Sequence, residues 1–291
     1  MNTINISGSI GYIFMKNETD KILILADMHS TLPYCDSNKN GIFISNWLGK
    51  KKDSRVLLEE VPRTNTKLKE LWATSPHTQK LKNLYLNSTS IDGIDIRPFL
   101  IPFSWELLLE KDISIEKKDY LSKIKLKSYL ELINCFFTLK LEYFKKNLGY
   151  IYTKDFLKDS ILGKHFLMLK NTIKELVKNN KIYLSSTLEE LLKKNSYILE
   201  KINDLISFIM EWFIMARIIK WQKDGKHKFI IHAGLAHTAN IYLTLEKIYN
   251  FKIIDKHGIN EMEYSDEYAN GCLKLPKEID DQFGGYNIGI F

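Results

Sequence analysis

The sequence predicts an α/β fold: a mixed sheet whose strand ends carry a His/Glu/Arg site, joined by a large all-helical insertion. Three observations predict it. Short apolar runs bounded by charged or turn-forming residues recur in residues 5–97 and again in 228–255, which is the pattern of buried strands. Between them, from about residue 105 to 222, amphipathic segments follow one another with helical spacing and no strand alternation. Several of the apolar runs end in a histidine, a glutamate or an Asp-x-Arg, and the carboxyl ends of strands are where an open α/β sheet gathers its site. No low-complexity linker divides the chain. Residues 1–291 therefore read as a single α/β domain with 105–222 as a helical insertion subdomain.

Taken in order, residues 5–15 and 21–27 read as two short strands with KNETD as the turn between them. A loop with Pro33 and Asp36 follows, then a short helix near GIFISNWLGKK. Residues 55–61, RVLLEEV, are apolar between charges and read as a buried strand. Residues 65–86 have helical spacing, with Pro76 as a break. IDGIDI, residues 91–96, reads as a strand closed by Pro98. Within the insertion the helices part at NLGY and at KNNKIY, and Ser186 and Glu189 have the spacing of a capping box. KFIIHA then returns to the sheet, followed by the helix TANIYLTLEKIYN, the strand FKIID and a C-terminal tail.

Composition excludes several classes. At 291 residues and 45% hydrophobic the chain is long and apolar enough to bury a core, which sets it apart from disordered chains. The net charge of +7 invites a nucleic-acid reading. The lysines, however, are interleaved with acidic residues, as in SIEKKDYLSK and TIKELVKNNK, and read as solvated helix faces, so a nucleic-acid partner is not expected. Cys35, Cys135 and Cys272 are far apart and lack CxxC spacing. That predicts neither a disulfide framework nor a zinc ribbon, and with it a reducing, cytoplasmic setting. The first residues lack the charged start and apolar core of a signal peptide. LISFIMEWFIMARIIKW, residues 205–221, has the length of a membrane span but carries Glu211 and Arg217, which are costly in lipid. It is expected to be a buried helix, with no membrane partner.

Two corners resemble each other. LADMHS (25–30) and AGLAHT (233–238) each place a small residue (Ala26, Gly234) after an apolar run, then His29 or His237, then a hydroxyl residue. A small residue lets the backbone turn after a strand, and the histidine lands just past the strand end. VLLEEVP puts Glu59 and Glu60 at the end of a buried strand, where a carboxylate is expensive unless paired or bound to a cation. IDGIDIRP adds Asp95 and Arg97, which also read as an ordinary ion pair. His232 lies within its strand and reads as a core residue. His77, His165, His227 and His257 sit in charged segments and are expected at the surface.

The order of these motifs resembles the Tiki/TraB-type superfamily, which includes erythromycin-esterase-like and ChaN-like proteins. His29 matches the first histidine of its G-x-x-H pattern, with Asp27 at the place of an acidic residue beside the glycine. Glu59 matches the strand-end glutamate, Asp95 and Arg97 the D-x-R, and Gly234 and His237 the second G-x-x-H. Two departures stand out. Ala26 replaces the first glycine, and the Arg-Asn or Arg-Asp pair of many members has no counterpart before the last motif. The resemblance implies a metal-dependent hydrolase of peptide or ester bonds. In that reading His29, Glu59 and His237 hold a divalent zinc or manganese ion with a position open for water. Asp27 orients a histidine or acts as general base, and Arg97 stabilises an oxyanion. A metal-free variant with His29 or His237 as general base stays open. So does a non-catalytic protein that keeps the fold and grips a partner or a haem.

Overall fold

The fold is seen in a computed structural model, which describes residues 2–27, 35, 41–63, 76–101, 121–259 and 271–285, without side chains at 76–79. In chain order the elements are β1 (Thr3–Ser7), β2 (Gly11–Lys16), β3 (Lys21–Asp27), β4 (Ile42–Phe43), α1 (Ile44–Gly49), β5 (Arg55–Leu58), α2 (Pro76–Asn87) and β6 (Ile91–Gly93). The helices α3 (Leu126–Phe137), α4 (Glu142–Leu148), α5 (Lys154–Asp159), α6 (Ile161–Asn179), α7 (Leu188–Lys194) and α8 (Ser196–Lys223) follow. The chain then forms β7 (Lys228–Gly234), α9 (Leu235–Tyr249), β8 (Lys252–His257), β9 (Cys272–Pro276) and α10 (Lys277–Gln282). This is the expected α/β class. The contacts group the chain into two compact units, one drawn from residues 1–62, 74–95 and 217–291, the other from 63–73 and 96–216.

The first unit holds a six-stranded mixed sheet in the order β6-β5-β7-β3-β2-β8 and a three-stranded sheet in the order β4-β1-β9. β6, β5, β7 and β3 are mutually parallel, while β2 pairs antiparallel with β3 and β8 antiparallel with β2. Alternation fixes which side chains face which way. Tyr12, Phe14, Leu23, Leu25, Val56, Leu58, Ile91 and Ile230 share one face. They form a core with Trp47 and Leu48 of α1, Leu81 and Tyr85 of α2, and Ile4, Ile6, Leu273, Leu275, Ile279 and Phe283. α9, which packs on β3 and β7, contributes no residue to that cluster and covers the opposite face.

Several expectations need correction. The run 5–15 is two strands in different sheets. They part at Gly8, whose φ of 101° favours glycine. The expected strand 55–61 ends at Leu58 and the expected strand 91–96 at Gly93. Pro76, the expected break, begins α2, where its missing N–H costs nothing. Residues 64–75 of that expected helix lie outside the described residues. The C-terminal tail contains β9, with Leu273 and Leu275 buried on either side of exposed Lys274, and the helix α10. The cysteine expectation is overturned: Cys35 and Cys272 are joined by a disulfide, S–S 2.09 Å. Residues 237 apart in sequence are brought together by β1, whose last residue, Ser7, is in register with Cys272 and accepts a hydrogen bond from the Cys35 N–H. With that bond formed, the cysteine spacing no longer speaks for a reducing compartment.

A buried ion pair anchors α10. Lys51 and Asp280 side chains are both fully buried and bonded to each other. The same carboxylate oxygen accepts from the Trp47 indole N–H at 2.8 Å, and the Lys51 ammonium lies 4.4 Å from the Trp47 ring centroid. Burial pushes the Lys51 ammonium below its usual range, and the Asp280 carboxylate pulls it back up.

The described part of the expected insertion, from Leu121 to Lys223, is helices and 3-10 turns, with one isolated bridge between Lys125 and Thr187. The capping box is there but one residue later than expected: Thr187 and Glu190 form it, not Ser186 and Glu189. An aromatic cluster of Phe136, Phe137, Phe144, Phe166 and Trp212 makes the core of the second unit. The Trp212 N–H donates to the Leu162 carbonyl at 3.0 Å. α8 has Glu211 and Arg217 both buried. No helix among the described residues is long and apolar enough to cross a membrane. His165, expected at the surface, is partly buried on α6, and that burial pushes its imidazole down to about 4.

Two outcomes follow for stability. Asp280→Ala strands the Lys51 ammonium and the Trp47 N–H, and urea unfolding is expected to show a loss of about 3–5 kcal/mol. The paired change Lys51→Met with Asp280→Leu should cost much less, because no charge is left buried. His165 binds its proton near pH 6.5 when unfolded but only near pH 4 when folded. Between those values the unfolded chain holds more protons, so stability falls as pH drops from 6.5 to 4 and then levels. His165→Gln should remove that part of the slope in melting curves taken across the window.

Candidate active site

One transverse row crosses the whole six-stranded sheet near its edge: Gly93, Leu58, His232, Leu25, Tyr12 and His257 are successive register partners. Just past this row the four parallel strands end on the same side. Asp95 follows β6, Glu59 follows β5, Gly234 ends β7 and leads to His237, and Asp27 ends β3. The parallel arrangement therefore delivers the predicted strand-end residues of this unit to one edge, where such sheets place ligands.

Glu59 and His237 meet there. The Glu59 N–H donates to the His232 carbonyl at 3.0 Å, which fixes the exit of β5 against β7. Glu59 Oε2 accepts a 2.6 Å hydrogen bond from the Gly234 N–H. Its Oε1 lies 3.8 Å from His237 Nε2, and the two side chains are 6% and 12% exposed. That is an ion-pair distance, longer than a hydrogen bond. The arrangement has a local cause. Gly234 is the N-cap residue of α9 and has no side chain with which to cap it. The Glu59 carboxylate, arriving from the neighbouring strand, does so instead. A negative charge is also favoured at the positive end of a 15-residue helix. The buried carboxylate flagged by the sequence is thus stabilised by a backbone N–H and a helix terminus. His237 is the third residue of α9, and Thr238 behind it is fully buried, its hydroxyl donating to the Leu235 carbonyl at 2.7 Å.

The likeness of the two corners is less than the letters suggest. Gly234 has φ −57° and ψ 152°, a conformation open to any residue. Ala26 lies inside β3, opposite Gly11 and Ala233. In the sheet the partner of Gly234 is Asp27, not Ala26, so the two motifs are offset by one residue. By alternation Asp27, buried at 1%, shares the face of Leu23 and Leu25, as does buried His232, whereas Glu59 reaches the face that carries α9. Asp95 is buried at 1%, its N–H donating to the Glu60 carbonyl at 3.0 Å. Arg97 belongs to the second unit, where it opens the 3-10 turn Arg97–Phe99. His29 lies outside the described residues.

Sequence reasoning passed over two residues that place Glu59. A Cβ on Gly93 would come within 2.6 Å of the Glu60 carbonyl oxygen and 2.8 Å of that of Val61, so only glycine lets the exit of β5 cross β6 so closely. The Tyr85 hydroxyl donates to the Val61 carbonyl at 3.0 Å. The glycine within IDGIDI was the available signal, since glycine inside a strand marks a close backbone approach.

Among the described residues no three His, Cys, Asp or Glu side chains are grouped to hold a metal ion. Of the proposed zinc or manganese ligands, Glu59 and His237 are close together, and the described residues supply no third. In comparisons with known proteins, no family model, curated protein or solved structure matches the chain.

The capping role of Glu59 has its own test. Glu59→Gln keeps an acceptor for the Gly234 N–H, whereas Glu59→Ala leaves that buried donor without one, a cost of about 1–3 kcal/mol. Chemical denaturation should rank the two variants in that order, with Glu59→Gln the closer to wild type.

Proposed function

We propose that the strand-end edge of the six-stranded sheet is a hydrolytic site for ester or peptide bonds, with His237 as its general base. The observation that supports this reading is the Glu59–His237 pair: a nearly buried carboxylate 3.8 Å from an imidazole that keeps some exposure. In the proposed step His237 Nε2 accepts a proton from water as the water oxygen attacks the carbonyl carbon. Glu59, already negative and fixed by the Gly234 N–H, stabilises the imidazolium that forms. The proton then passes to the leaving oxygen or nitrogen. The order of motifs that resembles the Tiki/TraB-type superfamily supports the same reaction class.

A divalent zinc or manganese ion remains part of the proposal only with His29 as the third ligand beside Glu59 and His237. The described residues do not complete a metal shell, and the chemistry above is carried by the chain's own groups. A cytoplasmic setting is likewise proposed on the condition that the Cys35–Cys272 bond is a reversible one, as cytosolic disulfides are. One observation favours a second reading, a non-catalytic protein that binds a partner or a haem: Glu59 already has a structural task as the cap of α9.

The experiment that separates the two is ester and peptide turnover by the purified protein, with p-nitrophenyl acetate and an unstructured peptide mixture as probes, with and without chelator. His237→Ala is expected to lower turnover on the order of 10²-fold or more. It should leave the melting temperature near wild type, because the side chain sits on the first turn of a helix and outside the core cluster. Elemental analysis of the same sample counts bound metal. Wild-type protein that turns over neither probe, or a His237→Ala variant as active as wild type, would sink the hydrolase reading.

A further inference from the structure

The rim of the six-stranded sheet opposite the candidate active site is basic. β7 begins at Lys228, β3 begins at Lys21, β2 ends at Lys16 and β8 begins at Lys252. These four lysines are successive register partners across the sheet. Register partners project from one face. It is the face of the large core, because Ile230, Leu23 and Phe14 stand two residues from Lys228, Lys21 and Lys16 on the same strands. Adjacent strands lie about 4.8 Å apart, so the four side chains leave the backbone in a line roughly 14 Å long.

Such a row costs stability, and no ion pair among the described residues offsets it. Like charges directly opposite one another in a sheet are destabilising, and here they occur three times in succession. Among the described residues Lys21, Lys228 and Lys252 have no carboxylate partner, while the Lys16 ammonium lies 4.8 Å from the Phe14 ring centroid. Buried Asp20, at the same rim, is occupied. Its carboxylate accepts from the Gln222 amide at 2.8 Å and from the Thr19 hydroxyl at 2.7 Å, and lies 2.9 Å from His227 Nδ1. Glu18, Asp53 and Asp224 are exposed in the loops that lead into β3, β5 and β7, and none of them pairs with a lysine of the row.

Arg55 supplies the contrast. It begins β5, the next strand in the sheet, and alternation puts it on the opposite face from Val56 and Leu58. Its guanidinium lies 3.6 Å from the Trp221 ring centroid and donates to the Thr89 carbonyl at 3.0 Å, so its charge has a place in the fold. Lys21, Lys228 and Lys252 have no such place. Lys16, Lys21 and Lys228 are partly exposed and Lys252 is exposed. Along the chain the lysines are interleaved with acids, whereas across these four strands they stand side by side.

We propose that this row is a binding surface for the phosphate backbone of a single-stranded nucleic acid laid across the strands. A line of ammonium groups one residue wide matches a single chain of phosphates, whereas a lipid surface calls for a broader patch with apolar side chains to insert. Contacts to phosphate carry no base preference, and they release counterions, which makes the binding strongly salt-dependent. β3 is seven residues long, so the row lies roughly 20 Å of strand away from Asp27 and Gly234. Binding at this rim goes beyond the hydrolase reading and does not rest on it.

The test uses the full chain and fluorescence anisotropy with a labelled oligothymidylate of about 16 nucleotides. Wild-type protein is expected to bind it, with affinity falling roughly 50-fold between about 50 and about 200 mM salt, as neutralising about four phosphates requires. The variant K21Q/K228Q/K252Q should bind about ten-fold or more weakly and with a flatter salt dependence. The variant K158Q/K164Q/K174Q removes the same charge from exposed positions on α5 and α6, and should stay within about two-fold of wild type. Relieved of its opposed charges, the row variant should melt no lower than wild type. Wild-type protein that does not bind the oligothymidylate overturns the proposal. Equal weakening in the two triple variants also overturns it, since net charge alone then explains binding. Binding to phosphatidylserine vesicles in preference to the oligothymidylate overturns it in favour of a membrane surface. If the row variant melts well below wild type, K21Q and K252Q are compared singly in the folded state, where weaker binding upholds the row and unchanged affinity in both overturns it. None of these outcomes depends on ester turnover.

Discussion

The hydrogen bond from the Gly234 N–H to the Glu59 carboxylate is the contact on which the candidate site depends. It resolves two problems at once. A carboxylate at the end of an apolar strand needs compensation for its lost water, and a helix that starts on a glycine needs an acceptor for its first N–H. Because β5 and β7 are adjacent and parallel, the residue that ends one strand lies beside the helix that follows the other. His237, in the first turn of α9, then falls near the same carboxylate without any special backbone geometry. The pair is a product of sheet order first and of motif second.

Sheet order also divides the residues that the sequence grouped together. A strand end is a rim with two faces, and side-chain alternation sends Asp27 and His232 to the face of the large apolar core while Glu59 and His237 gather under α9. Linear motifs of the form small-x-x-His carry no information about that division. The one-residue offset between Asp27 and Ala26 as the partner of Gly234 is enough to make two similar strings unequal in space.

Much of the fold was legible because apolar runs such as KILILAD and KFIIHAG are long for strands and bounded by charge. The helical character of residues 121–223 was legible for the same reason with a different period. What could not be read depended on distant parts of the chain. β1 and β2 look like one run because nothing local to Gly8 announces that the two halves pair with different partners, residues 272–276 and 252–257. β9 has the strand alternation but only five residues of it, too few to stand out beside a C-terminus. The disulfide was invisible because cysteine spacing speaks only for loops closed locally. The Thr187 capping box shows the opposite limit: two adjacent hydroxyl residues before two glutamates fit the pattern in either register, and the backbone chose the second. In the candidate site, the strand-end glutamate and the second histidine were readable as residue types, whereas their meeting through the Gly234 amide was not.

The first unit is assembled from three separate stretches of chain, and this sets the order in which it can be completed during synthesis. β3 lacks its parallel neighbour until residues 228–234 have been made, and β1 and α1 lack theirs until β9 and α10 arrive near the end. Residues 121–216, by contrast, are continuous and rich in local helical contacts, the kind that form early. A ribosome making this protein therefore holds, for most of elongation, a nascent chain whose apolar strands β2 and β3 form only a hairpin, with both edges unpaired. Residues 228–234 and 252–257 are what release it from that exposed state.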